Sequence, residues 1–176
     1  GWPGMHGMAY SSFAIEEADL IIALGMRFDD RITGNPSKFA LNSKKIHIDV
    51  DPSEIGKNIA VDVPIVGDVK EVLSRMNTHV VAATHPSWLK RIDVLKKDHP
   101  SLDIPETSKL LARQVVKDIS DETKGGATIV TGVGQHQMWA AQHYRFKKPC
   151  TFLTSGGSGT MGYEVPAAMG AQVADP

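Results

Sequence analysis

The chain has 176 residues, with 19 lysines and arginines against 20 aspartates and glutamates, so its formal net charge is −1. Nucleic-acid-binding and membrane-surface proteins carry a basic excess, so we expect neither kind of partner. A 41% apolar composition and one cysteine, Cys150, indicate a globular protein of a reducing compartment, without a disulfide framework. The sequence begins with glycine rather than methionine and stops just after a predicted helix, so we expect an internal segment of a longer protein.

Apolar runs and helical spacing alternate along the first eighty residues. The predicted elements are a helix over 14–18, strands over 20–24, 46–50 and 61–66, and a helix over 69–76. The first strand is a continuous apolar run that ends at Gly25, which is the pattern of a fully buried parallel strand. Strands separated by helices predict an α/β fold in which parallel sheets are flanked by helices.

The composition changes after residue 80. Residues 81–105 contain three prolines and a basic helical stretch over 88–97, and we interpret them as an interdomain connector between domains at 1–80 and 106–176. Apolar residues at helical spacing make an amphipathic helix a better interpretation of that stretch than a nucleic-acid patch. The elements predicted beyond it are a helix from Thr107 or Ser108 to Ile119, strands over 128–130 and 151–154, and helices over 136–144 and 164–173.

Glycines and charged residues follow the predicted strands, at the sheet edge where α/β proteins bind ligands. Gly132-x-Gly134 fits either a phosphate-binding turn or a tight turn with no ligand. The five glycines from Gly156 to Gly170 indicate close ligand approach without identifying the ligand. Arg27 and Arg31 fit either an anion clamp or a surface ion-pair cluster, and Asp49 fits a ribose-binding acid.

No metal site is predicted from the residue spacing. The seven histidines show no ligand motif, and Cys150 has no partner cysteine. The neighbouring carboxylates Asp29 and Asp30 would point to opposite faces of an extended backbone, which argues against a carboxylate pair that binds a metal.

Five segments together resemble one enzyme family. Gly4-Met5-His6-Gly7, residues 25–34 and residues 47–58 resemble the central domain of acetolactate synthase catalytic subunits. Residues 133–142 and 155–163 resemble the opening of the thiamine-diphosphate domain in the same enzymes. The segments occur in the family's order and cover most of the chain outside the connector.

The resemblance implies an enzyme that condenses two pyruvates, or pyruvate and 2-ketobutyrate, with loss of CO₂ in branched-chain amino-acid biosynthesis. It implies thiamine diphosphate, Mg²⁺ and FAD as cofactors. It also implies a homodimer or tetramer with a regulatory small subunit, located in the bacterial cytoplasm or in a eukaryotic organelle. Another thiamine-diphosphate carboligase or decarboxylase, such as glyoxylate carboligase, and a non-catalytic nucleotide-binding module are the alternatives.

Cofactor-binding positions carry over residue by residue. The matches to thiamine diphosphate contacts are Val133, Gly134, Gln135, His136, Gly159 and Met161. The matches to FAD contacts are Met5, His6, Gly25, Arg27, Asp29, Arg31, Ile32, Asp49, Val50, Gly67, Asp68 and Val69. The family's activating glutamate and its magnesium motif have no match in these residues, so we assign no catalytic residue or metal ligand and expect this segment alone to be inactive.

Two positions depart from the family pattern. Ser158 stands where the family usually has leucine, and Glu164 stands where it has a second glycine. A glutamate beside the thiamine turn fits either an unfavourable negative charge near the diphosphate or an ordinary residue of a first helical turn.

Overall fold

The computed structural model describes residues 1–176, which form two compact units, Gly1–Ser101 and Leu102–Pro176. The first unit contains α1 (Ala9–Glu17), β1 (Leu20–Leu24), α2 (Asp30–Thr33), β2 (Lys44–Asp49), β3 (Val63–Val66), α3 (Val69–Met76) and α4 (Pro86–Asp98), with a short 3₁₀ turn at Pro36–Lys38. The second contains α5 (Ala112–Glu122), β4 (Ile129–Thr131), α6 (Gln135–His143), β5 (Phe152–Thr154) and α7 (Glu164–Ala174). The predicted α/β fold with parallel sheets is confirmed.

The first unit is built on a three-stranded parallel sheet in the order β1-β2-β3. Its register places Leu24 beside Ile48 and Ile48 beside Ile65, so these three side chains share one face. Ile48, on the central strand, is fully buried. All three strands are parallel, so their carboxyl ends lie along a single edge of the sheet.

The prediction that β1 is buried on both faces is wrong. Leu20, Ile22 and Leu24, which share a face, are 42–47% exposed, whereas Ala23 on the other face is 4% exposed. The buried face packs on a cluster formed by Phe28, Phe39, Ala40 and Ile59. A continuous apolar run indicates that a strand can be buried. It does not predict which face of the strand other residues pack against.

The face of the central strand opposite Ile48 carries buried polar side chains. Lys45, His47 and Asp49 alternate along β2, and all three are buried. Lys45 Nζ donates hydrogen bonds to the carbonyls of Ala40 (2.7 Å) and Ser43 (3.0 Å). His47 lies edge-on to the ring of Phe28, with the ring centroids 5.0 Å apart. The lysine therefore has hydrogen-bond partners that offset part of the cost of its burial.

Helix α4 lies within the segment interpreted as a connector, and it packs on α1. Arg91 forms an ion pair with Glu17 at 2.5 Å, and His99 contacts the ring of Phe13. The hydrogen bond from Arg91 lowers the pKa of Glu17 below its ordinary value. Leu95 is the buried residue of this helix. The amphipathic interpretation thus matches a helix that packs through a narrow apolar face.

In the second unit, β4 and β5 form a parallel pair, and the side chain of Tyr144 is buried. The Tyr144 hydroxyl bonds Thr123 Oγ1 at 2.9 Å and accepts from the Ala127 amide at 3.0 Å.

Helix α5 begins at Ala112, so the prediction of a cap at Thr107 or Ser108 is wrong. Thr107 Oγ1 instead accepts from the Lys109 amide, a local turn that competes with helix formation. No helix in the structure is both long and apolar enough to span a bilayer.

The stability of the second unit should fall as the pH drops through the range of His143. Burial, and then the positive charge of Arg113, lower the pKa of this imidazole below its ordinary value of 6.5. Protonation therefore costs more in the folded than in the unfolded chain, so stability is retained above pH 6.5 and lost below it. Melting temperatures measured from about pH 8 to about pH 5 should decline less for His143→Gln. Equal slopes for the two proteins would contradict this.

Candidate functional site

The carboxyl end of β4 leads directly into a glycine turn and then into α6. Gly134 caps the helix with φ 155° and ψ −166°, a conformation essentially restricted to glycine. No side chain caps α6, so the backbone N–H groups of its first turn have no side-chain acceptor. Such a turn fits an anion such as a diphosphate. Val133 is half-buried here, whereas Gln135 and His136, in the first helical turn, are exposed.

A hydrogen-bonded chain of side chains holds this turn against the second strand. Thr131 and Thr154, the last residues of β4 and β5, are paired in register. Thr154 Oγ1 accepts from Thr131 Oγ1 and from Gln137 Nε2, both at 2.8 Å. Gln137, on the first turn of α6, was not predicted as a site residue. The sequence signal for it is weak: Gln137 stands where the third glycine of a dinucleotide-binding G-x-G-x-x-G motif that begins at Gly132 would lie.

Replacing the shared acceptor should loosen the turn. Thr154→Val keeps the side-chain shape but leaves the donors of Thr131 and Gln137 without their partner, which should cost about 1–3 kcal/mol of unfolding free energy. Thr151→Val, which removes one exposed hydrogen bond to the Lys148 carbonyl, should cost less than about 1 kcal/mol. Urea denaturation measures both values. Equal losses would show that the side-chain network contributes nothing beyond a surface hydrogen bond.

The second glycine segment is shaped by Ser155. Its carbonyl accepts from the Gly159 amide at 3.1 Å, and its hydroxyl accepts from the Thr160 amide at 3.0 Å. Gly159 has φ +65°, and Met161 is 82% exposed. Both predicted cofactor residues therefore lie on a turn that begins at the carboxyl end of β5.

In the first unit, several of the residues predicted to contact FAD lie at the carboxyl edge of the sheet. The Gly25 amide donates to the Ile48 carbonyl at 2.8 Å, and the Gly67 amide donates to the Asp49 carbonyl at 2.9 Å. These hydrogen bonds bring the ends of β1, β2 and β3 side by side. Gly25 has φ +58° and open space where a Cβ would lie, and Val50 is exposed. Asp68 caps α3 through the Glu71 amide, and Val69 is the first residue of that helix.

The two arginines form ion pairs in this structure. Arg27 bonds Asp29 at 3.1 Å, and Arg31 bonds Asp30 at 2.9 Å. Asp29 also caps the short helix α2 by accepting from the Arg31 amide. The geometry therefore corresponds to the surface ion-pair interpretation, and an anion would have to compete with these carboxylates. Contact of Arg27 and Arg31 with FAD stays a prediction.

The amino-terminal segment is held beside α2. The Met5 amide donates to the Arg31 carbonyl at 2.7 Å, and the Gly4 amide donates to Ser12 Oγ at 3.1 Å. Met5 and His6 are exposed, and Ile32 is half-buried on α2. The structure thus brings Met5 and His6 close to the backbone of Arg31, although 26 residues of sequence separate Met5 from Arg31.

No group of three or more histidine, cysteine, aspartate or glutamate side chains is arranged to hold a metal ion.

Two family models match the chain. One, described as the central domain of thiamine pyrophosphate enzymes, matches residues 1–76. The other, the C-terminal TPP binding domain of the same enzymes, matches residues 132–176. Thiamine pyrophosphate is another name for thiamine diphosphate.

Individual proteins match across both segments. The chain is 46% identical to the acetolactate synthase of Mycobacterium bovis, with 100% of this chain and 30% of that protein covered. It is 44% identical to the chloroplastic acetolactate synthase 1 of Zea mays, covering 98% of this chain and 28% of that protein. It is 44% identical to the acetolactate synthase large subunit of Lactococcus lactis, covering 100% of this chain and 31% of that protein. The chain therefore spans less than a third of the length of these relatives.

Proposed function

Because the chain belongs to the thiamine pyrophosphate enzymes, we propose that it is part of an acetolactate synthase large subunit. The observation that carries the proposal is 44–46% identity to such proteins across the whole chain, in relatives from bacteria and a plant. The reaction is the condensation of two pyruvates, or of pyruvate with 2-ketobutyrate, with loss of CO₂. It belongs to branched-chain amino-acid biosynthesis.

The α6 turn binds the diphosphate of thiamine diphosphate in this proposal. Its support is the uncapped start of α6 behind Gly134, together with the family match over residues 132–176. Val133, Gln135 and His136 orient the diphosphate, while Gly159 and Met161 line the aminopyrimidine. When bound, thiamine diphosphate supplies the electron sink for decarboxylation of the 2-keto acid. The chain's own residues would hold and orient that group.

FAD binds at the carboxyl edge of the first sheet. The supporting observations are the adjacent ends of three parallel strands and the open space above Gly25. Asp49 lies at the strand end where a ribose hydroxyl is commonly bound, although its Oδ1 already accepts from the Asp51 amide. Mg²⁺ would help to neutralise the charge of the diphosphate, and we assign none of these residues as its ligand.

The enzyme works as a homodimer or tetramer in this proposal. Helix α7 leaves Val165, Met169 and Val173 exposed at 64–82%, and their spacing of four places them on one apolar stripe. The partners in this proposal are a second copy of the large subunit and a regulatory small subunit, and the stripe on α7 is one apolar surface available for such contacts. The compartment is the cytoplasm in a bacterium or an organelle in a eukaryote, since the Zea mays relative is chloroplastic.

Product formation tests the proposed reaction. The complete protein that contains these residues, supplied with thiamine diphosphate, Mg²⁺ and FAD, should convert pyruvate to acetolactate, detected as acetoin after acid treatment. Omission of thiamine diphosphate is the control and should abolish the signal. Product from glyoxylate but not from pyruvate would favour the glyoxylate carboligase alternative and refute the proposal.

The isolated segment of 176 residues should form no acetolactate under the same conditions. The family's activating glutamate and magnesium ligands have no match within it. Acetoin above the level of a protein-free control would contradict this expectation.

A further inference from the structure

The carboxylate of Glu164 lies against the turn that leads into α6. A Cβ built on Gly132 would lie 2.5 Å from Glu164 Oε2 and 2.8 Å from Oε1, so both carboxylate oxygens face this glycine. Gly132 is buried and directly follows β4. Glu164 is the first residue of α7, and it reaches back from that helix to the end of the strand.

One of the two oxygens of this carboxylate is shielded from water. Glu164 Oε2 is buried and has no hydrogen-bond partner in the protein. A buried carboxylate oxygen without a donor is unfavourable by more than a typical hydrogen bond contributes. The position is therefore poorly explained as an ordinary first-turn helix residue, because such a side chain would gain more by turning toward water. The first turn of α6, which no side chain caps, carries a partial positive charge. That charge stabilises a negative group such as the Glu164 carboxylate beside the turn.

We propose that Glu164 acts as an intramolecular anion that covers the Gly132 turn and weakens its binding of a diphosphate group. The inference rests on the proposed function, since it takes this turn as the diphosphate site. A diphosphate that approaches the first turn of α6 meets a like charge, and the Glu164 side chain must rotate toward solvent before the diphosphate binds. The family pattern has glycine at this position, and glycine presents no such charge. Glu164 thus sets the affinity of this chain for its cofactor without touching the reacting atoms.

Inorganic pyrophosphate is the probe, because it reports the turn without the thiamine rings and without any reaction. Calorimetric titration of the 176-residue chain, with and without Mg²⁺, should give affinities about tenfold higher for Glu164→Gln and for Glu164→Gly than for the unmodified protein. This factor lies at the low end for unit charges ~4 Å apart near a protein surface. Glu164→Gln keeps the length of the side chain and isolates the charge, and circular dichroism verifies that each variant is folded.

Asp175→Asn is the matched control. It removes one negative charge at the opposite end of α7, so a general effect of net charge would raise its affinity as much as that of Glu164→Gln. We expect its affinity to stay within about twofold of the unmodified protein, because exposed charges more than ~10 Å apart are screened by salt. A gain equal to that of Glu164→Gln would overturn the proposal.

Equal pyrophosphate affinities for the unmodified chain and both Glu164 variants would also overturn it, including the case in which none of them binds. These outcomes are separate from failure of the proposed function. A complete protein that makes no acetolactate leaves the pyrophosphate result unchanged, and an active enzyme in which Glu164→Gln has no effect on affinity refutes only this inference.

Discussion

Gly125→Ala should lower the unfolding free energy of the second unit by about 3 kcal/mol or more. Gly125 is buried and has φ +69°, in the left-handed region that an L-residue enters only at a cost. A Cβ at this position would overlap the carbonyl oxygen of Arg145 and lie 3.3 Å from Lys147 Cγ. The obstacle is backbone rather than a flexible side chain, so relief requires movement of the segment after Tyr144. Urea denaturation followed by circular dichroism measures the loss.

The opposite sign is expected for Gly170→Ala. Gly170 lies within α7, has ordinary helical geometry, and would place a Cβ in open space. Alanine in a helix interior should therefore stabilise the protein by about 0.5–1 kcal/mol. Together the two variants separate the strain at Gly125 from any general effect of added methyl groups. If Gly125→Ala were as stable as Gly170→Ala, the Arg145 carbonyl would not obstruct a methyl group at residue 125.

Local sequence spacing predicts the elements well where one signal dominates. The predicted bounds of β1 and α3 agree with the structure, because a continuous apolar run and a 3.6-residue period each admit one interpretation there. Helix α1 begins at Ala9, five residues before the prediction, since Met8 provides no side-chain cap that would mark the start. Boundaries without a capping signal are the least predictable feature of a helix.

Contacts between distant residues could not be predicted in the same way. The bond between Gln137 and Thr154 joins residues 17 apart, and the approach of Glu164 to Gly132 joins residues 32 apart. The sequence identified Glu164 only as a departure from a family pattern and left its role open. The direction of its side chain depends on how α7 packs on β4, which no local pattern encodes. The same limit explains the exposed face of β1, because coverage of a strand is a tertiary property.

Ile48→Ala should cost the first unit about 2–5 kcal/mol, the range for truncating a buried isoleucine in a core that only partly collapses. Ile48 is fully buried on the central strand, between Leu24 of β1 and Ile65 of β3. The truncation should also disturb the edge proposed to bind FAD, because relaxation around the cavity shifts the backbone at residue 48, whose carbonyl accepts the Gly25 amide and which precedes Asp49. Denaturant unfolding measures the free energy, and amide exchange at Gly25 reports the edge directly.

Leu24→Ala is the matched control because Leu24 is the register partner of Ile48 on the same face of the sheet. Leu24 is 42% exposed, so truncation removes side-chain atoms that water already reaches in part, and the expected cost is about 1 kcal/mol. The two variants differ in burial far more than in chemistry. The ratio of their losses of unfolding free energy therefore measures how unevenly this face of the sheet is covered. Equal costs would show that other residues cover this face of β1 in solution. A cost several times larger for Ile48 would show that the stability of the first unit depends on β2, the strand that ends at the proposed flavin contact Asp49 and is followed directly by Val50.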